Sequence, residues 1–296
     1  MDRAVPHQPE FGERLIESLA NPITEAPAAV FRDIRIISCP KSPGARSEDA
    51  YATTPNCLVV ADGATAKTEF AIDPHRTGGE IVARIVADSA VKSTQNGVDL
   101  VAELNYAVAA VLRDYGIAAL PQGPQTPSCV FACARICGDR LIVTQVGDVG
   151  IRINGPSGET LAVRNLIDDL TSAARAHYVR LTNDLAGSRG FILPLLQAQA
   201  AYRNNPGHPL GFGVIDGSAT PDPFVVTRAF DLAGITTVEI YSDGYPQAPE
   251  QVSPLAWEDA YHGVIHRDPH RCLDFPSTKA IDDRTVIIAP VGQFEA

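Results

Sequence analysis

No run of lysine and arginine occurs in this chain, and 24 basic residues face 35 acidic ones, for a net charge of -11. That balance excludes the basic footprint with which proteins grip nucleic acid or an anionic bilayer. No apolar stretch approaches the roughly 20 residues of a bilayer-spanning helix. The opening, Met1 to Pro9, lacks the apolar core of a secretory signal. We therefore expect a cytoplasmic protein with neither nucleic acid nor membrane as partner; oligomeric state is not legible. Cysteine is sparse, six residues with no CxxC pair. Cys129, Cys133 and Cys137 are spaced by four, which on a strand is one face. Buried core thiols fit that pattern better than a metal or disulfide cluster. The seven histidines are scattered. Only His262 and His266 stand four apart, and Gly263 occupies the place where a zinc HExxH helix needs glutamate.

What is present is a chain of 296 residues, 45% hydrophobic, enough for one large domain or two small ones. Residues 1–30 are proline-rich, with one amphipathic patch at Phe11–Leu19, and read as an N-terminal extension ahead of a single domain over 31–296. Residues 31–39 alternate like a strand, and a turn-rich segment then leads into a second strand that ends at Asp62. Residues 77–95 and 98–115 carry helical spacing, and 120–126 read as a loop. From Ser128 to Arg164 the pattern is a meander, turning at Gly138-Asp139 and at the hairpin signal Asn154-Gly155. Helical patterning returns over 165–205, with a break expected at Gly187–Gly190, and 204–217 reads as a mobile loop. Strands follow at 224–230 and 235–241, a helix at 255–265, and a last strand after Asp282-Asp283. This order, without regular βαβ alternation, predicts an α+β fold with largely antiparallel sheets.

Carboxylates punctuate the strands. Leu58-Val59-Val60-Ala61 stops at Asp62-Gly63, and Val238-Glu239-Ile240-Tyr241-Ser242 stops at Asp243-Gly244. Glu48-Asp49 precede a strand, Gly147-Asp148 follow one, and Asp282-Asp283 open the last. Each alone is an ordinary turn residue. Gathered, acids at rigid strand ends make an oxygen-rich pocket suited to hard divalent cations. Two such cations can activate a water and neutralise a phosphate's oxygens during in-line attack, with no covalent nucleophile.

In this order the pieces Arg46-Ser47-Glu48-Asp49-Ala50, Val60-Ala61-Asp62-Gly63, Val146-Gly147-Asp148-Val149, Tyr241-Ser242-Asp243-Gly244 and Asp282-Asp283-Arg284-Thr285-Val286-Ile287 resemble the metal-dependent protein phosphatase family (PPM, the protein phosphatase 2C type). The resemblance spans about residues 33–291. It implies a sandwich of two antiparallel β-sheets flanked by α-helices, with two Mg2+ or Mn2+ ions in a cleft at one edge. Asp62 would bridge the ions, the Gly63 carbonyl would serve the first, and Asp243 and Asp282 the second. Asp49 would hold metal-bound water, and Asp148 with Asp243 would form a weaker third site. Asp282 is preferred to Asp283 because the first acid of the family's pair is the ligand. Arg46 stands nearer the acid pair than the family's phosphate-binding arginine. Its fork suits phosphate, and a solvated loop arginine is the alternative. Asp62-Gly63-Ala64-Thr65-Ala66 lacks the glycines and the histidine that many relatives carry there. The segment 165–215 stands in place of the family's flap.

The expected function is hydrolysis of phosphoserine or phosphothreonine in a protein substrate. The alternative is a weak or inactive phosphatase-like binding protein. A haloacid-dehalogenase-like route needs a nucleophilic aspartate two residues before Asp62, where Val60 stands. Gly155-Pro156-Ser157-Gly158-Glu159-Thr160 lacks the lysine of a phosphate-binding loop.

Overall fold

Strand β4 (Cys57–Gly63) shows how the molecule is layered. Its side chains alternate across the sheet. Leu58 and Val60 enter one apolar core, while Val59 and Ala61 enter another on the opposite face. A strand buried on both faces reads as the continuous apolar run seen in the sequence.

In the computed structural model, which describes residues 29–69, 72–116 and 123–293, β4 lies in a sheet ordered β3-β4-β5-β6-β9. Its partners are β3 (Ala50–Thr54), β5 (Cys129–Cys137), β6 (Arg140–Val146) and β9 (Val226–Asp231). The second sheet runs β1-β11-β10-β7-β8, with β2 also paired to β11. Here the strands are β1 (Ala29–Phe31), β2 (Arg35–Cys39), β7 (Gly150–Ile153), β8 (Glu159–Leu161), β10 (Thr237–Tyr241) and β11 (Arg284–Gln293). Every pairing of these strands is antiparallel. Between the sheets lie Leu58, Val60, Ala132, Ile151, Ile240 and Ile287, all fully buried.

Helices α1 (Gly78–Ala90) and α2 (Gly97–Asp114) cover the outer face of the first sheet. Val82, Val86, Leu100 and Leu104 meet Val59, Phe131, Cys57 and Cys133 there. Helix α5 (Pro254–Arg267) covers the other sheet through Trp257 and Tyr261 against Val286 and Ile288. The expected α+β architecture, two antiparallel sheets flanked by helices, is the one observed. The cysteines are free thiols; Cys57, Cys129 and Cys133 are buried in the core.

Local expectations needed correction. The single strand expected over 31–39 is two, β1 and β2, because Asp33 takes a left-handed backbone (φ 43°) between them. The break expected at Gly187–Gly190 is absent. The chain turns earlier, at Asn183 (φ 55°) and Asp184, whose carboxylate caps the next helix through the Gly187 amide. The result is a pair, α3 (Leu166–Thr182) and α4 (Leu185–Ala198). The loop expected to be mobile over 204–217 is pinned to β5 by reciprocal backbone hydrogen bonds between Cys129 and Ile215, at 3.0 and 2.9 Å. The amphipathic patch at 11–19 and part of the loop at 120–126 lie outside the described residues.

Candidate metal centre

Strand register brings the acids together. Tyr241 pairs with both Gly150 and Val286. Asp243, two residues past Tyr241, therefore leaves the sheet where Asp148 enters β7 and where Asp282 precedes β11. On the facing sheet Asp62 pairs with Val130 at the same edge of the sandwich. Asp62, Gly63, Asp148, Asp243 and Asp282 all line one cleft of about 120 Å3.

Close backbone approach fixes the end of β4. A Cβ on Gly63 would stand 2.5 Å from the Glu48 carbonyl oxygen and from backbone atoms of Gly79, so only glycine admits this contact with the start of α1. Gly147, at φ 81°, makes the turn that carries Asp148 into the cleft.

Asp49 lies buried behind the cleft. Its Oδ2 accepts a 2.7 Å hydrogen bond from the Ser242 hydroxyl, and its Oδ1 has no hydrogen-bond partner. A buried carboxylate oxygen without a donor is costly, and a cation or its hydration water would satisfy it. Burial pushes the Asp49 carboxyl up to about 7; the Ser242 hydroxyl opposes that shift, and the charges of Asp282 and Asp243 reinforce it. Asp148 is pushed to about 7, and Asp243 to about 6, each first by desolvation and then by the neighbouring aspartates. Asp243 is open to the cleft, so its desolvation comes from the protein wrapped around the cleft floor. Asp62 rises well above its ordinary range through burial and the charges of Asp49, Asp243 and Asp282. The cluster holds more negative charge than its surroundings neutralise, which is the electrostatic condition for cation binding.

The donor set fits a hard divalent cation: carboxylate oxygens and the Gly63 carbonyl at strand ends, with one orphan oxygen behind them. Among the described residues, however, no three carboxylates, histidines or cysteines already converge into a closed cage. The ammonium of Lys279 stands among the acids instead, 2.6 Å from Asp282 Oδ1 and 3.1 Å from the Thr65 hydroxyl.

Asp283 does not line the cleft and accepts from the Lys41 backbone amide at 2.8 Å. Arg46 does not line the cleft. Its guanidinium is exposed and paired with Glu80, its Nε donating at 2.7 Å. The described histidines are all exposed.

Sequence reasoning missed the opposite wall. Lys67, from the loop after β4, and Asn165, Asp168, Gln199 and Arg203, from the α3–α4 region, line the same cleft. The α3–α4 pair is tied down on both sides. Gln197 donates to the Lys67 carbonyl and Arg189 to the Thr278 carbonyl, each at 2.9 Å. Arg203 is held by the Thr126 carbonyl at 2.8 Å. Lys67 has neither a side-chain hydrogen bond nor an ion pair among the described residues. Desolvation, aided by the charges of Lys279, Arg189 and Arg203, lowers its ammonium to about 7. No pattern around Lys67 marks it, because its place in the cleft wall depends on a helix pair about 100 residues downstream.

No family model matches the chain, and no curated protein matches it in sequence. Solved structures do. The catalytic domain of the serine/threonine protein phosphatase PstP, in complex with two manganese ions, superposes with a TM-score of 0.51 at 17% identity, over 89% of this chain and 99% of that one. The Mycobacterium tuberculosis serine/threonine phosphatase PstP/Ppp gives 0.50 at 18%, over 88% and 98%. The chain has the fold of bacterial PPM-type phosphatase domains.

Proposed function

We propose that this protein is a metal-dependent phosphomonoester hydrolase acting on phosphoserine or phosphothreonine in proteins. The observation that carries the reading is the convergence of Asp62, Asp148, Asp243 and Asp282 in one cleft at the edge of this fold. Asp62 and the Gly63 carbonyl would hold a Mg2+ or Mn2+ ion. The resemblance assigns Asp243 and Asp282 to a second position and Asp148 with Asp243 to a weaker third, and Asp49 would support the centre from behind. A divalent ion bound there supplies activation of water and neutralisation of the phosphate oxygens.

The chain's own residues do the rest. Lys67, unpartnered at the cleft wall, offers its ammonium to the phosphate in place of Arg46, whose guanidinium is engaged by Glu80. Asp168, on the α3 wall, is held above the ordinary carboxylate range by burial, against the pull of Lys67 and Lys279. A carboxyl there can hold the proton that the departing serine or threonine oxygen requires. The α3–α4 pair limits water and selects the substrate by shape.

Hydrolysis of an aryl phosphate and a phosphothreonine peptide, run with Mn2+, Mg2+ or EDTA, tests the reading. We expect turnover in a divalent ion, none in EDTA, and loss in Asp243→Asn. A folded protein that takes up Mn2+ but hydrolyses neither substrate would replace it with a phosphate-binding protein lacking catalysis. That second reading is favoured by the lysine standing among the acids.

A further inference from the structure

Lys279 reaches the acid cluster from the loop before β11, three residues ahead of Asp282. Its Nζ donates to Asp282 Oδ1 at 2.6 Å and to Thr65 Oγ1 at 3.1 Å. The Thr65 hydroxyl in turn donates a hydrogen bond to Glu48 Oε2 at 2.6 Å, so the ammonium sits in an oriented polar shell. The loop is braced: Arg175 donates to the Ser277 carbonyl at 2.9 Å, and Arg189 to the Thr278 carbonyl. The side chain is mostly buried, with 21% of its surface exposed. Its ammonium therefore engages an oxygen of Asp282, one of the two acids assigned to the second ion, on the wall of the cleft that Asp243 also lines.

We infer that the Lys279 ammonium stands in the place of the second divalent cation, so that the cleft takes one ion at Asp62 and Gly63 beside a resident lysine. The inference rests on the phosphatase reading and narrows it: the centre works with mixed cations. A lysine delivers one positive charge without an exchange equilibrium, and it makes the second position independent of metal supply. The cost is a weaker field on the phosphate, because an ammonium carries half the charge of a divalent ion.

The test is a count of ions. The full chain, Lys279→Met and Lys279→Arg are dialysed to equilibrium against Mn2+ alone, and bound manganese is measured per chain. We expect Lys279→Met to take up roughly one ion more than the wild type, and Lys279→Arg to match the wild type. Any weaker site at Asp148 counts equally in all three, so the difference is the readout. Equal uptake by the wild type and Lys279→Met overturns the inference. Should Lys279→Met fail to fold, Asp282→Asn decides. It leaves the wild-type count unchanged if Asp282 serves the lysine, and removes an ion if Asp282 serves a metal. Equal uptake together with metal-dependent turnover sinks this inference and leaves the phosphatase; no uptake by any of the proteins sinks both.

Discussion

The Lys67 ammonium and the Arg46 guanidinium divide at the residue scale what the sequence assigned to arginine alone. Arg46 sits in the motif that resembles a phosphatase signature, but a neighbour 34 residues away, Glu80, engages it. Lys67 sits in no motif and faces the cleft without a partner. A charge-assisted hydrogen bond to phosphate is worth about 1.5–3 kcal/mol. Lys67→Met is therefore expected to raise KM for a phosphopeptide by roughly 10- to 100-fold, with Lys67→Arg recovering most of the loss. Because the Lys67 ammonium titrates at about 7 in the free protein, KM should also climb above that pH in the wild type and stay flat in Lys67→Arg. Steady-state kinetics across pH checks both. An unchanged KM in Lys67→Met would return the phosphate to Arg46. The acids were legible because each stands at or next to the end or the start of a strand, which local sequence shows. The cations and Asp168 were not, because their positions follow from packing between distant segments.

Elements explain why the site forms at this edge. β4, β10 and β11 announce themselves as apolar runs closed by Asp-Gly or opened by Asp-Asp, and their antiparallel register carries the acids to one end without further instruction. The α3–α4 boundary was misplaced because Gly187 and Gly190 look like breakers. In fact the Asp184 cap and the left-handed Asn183 end α3 earlier, and a capped helix tolerates internal glycines at about 1 kcal/mol each. Gly63 is the element-level test. Its missing Cβ lets β4 meet the Glu48 carbonyl and Gly79, so Gly63→Ala should cost about 1–3 kcal/mol through overpacking. It should also shift Asp62, and the rise in melting temperature on adding Mn2+ should shrink. Thermal melts with and without Mn2+ read both effects, and a full metal-induced rise in Gly63→Ala would separate the close approach from the centre.

Across the whole molecule, charge is handled in two ways. Away from the cleft one buried pair is matched charge for charge: Arg152 and Glu239, both buried, form a two-pronged bridge at 2.6 and 2.8 Å between β7 and β10. The Trp257 indole caps the same carboxylate at 2.7 Å and so joins α5 to the sheet. Arg152→Met strands a buried carboxylate and should cost about 3–5 kcal/mol, measured by denaturant unfolding; the double replacement Arg152→Met with Glu239→Leu should be milder. In the cleft, by contrast, charge is left in excess, and stability must then depend on pH. The carboxyls of Asp49 and Asp148 titrate at about 7 and that of Asp243 at about 6 in the folded chain, against 3.8 for an ordinary aspartate. The folded state thus keeps protons that the unfolded chain has already released. Their contribution is fully present below about pH 4 and is lost as pH rises through about 6 to 7. Lys67 acts outside that window: its lowered value leaves a constant penalty below about 7 that lightens only at higher pH. In EDTA, therefore, the melting temperature should fall between about pH 4 and 7, more shallowly in Asp148→Asn, and recover above that as the Lys67 penalty lightens. Mn2+ should remove the fall, because the ion takes the place of the protons. A melting temperature that rises over the same interval in EDTA would mean that the acids are already neutralised within the folded chain, and the cleft would then have no electrostatic call for a metal.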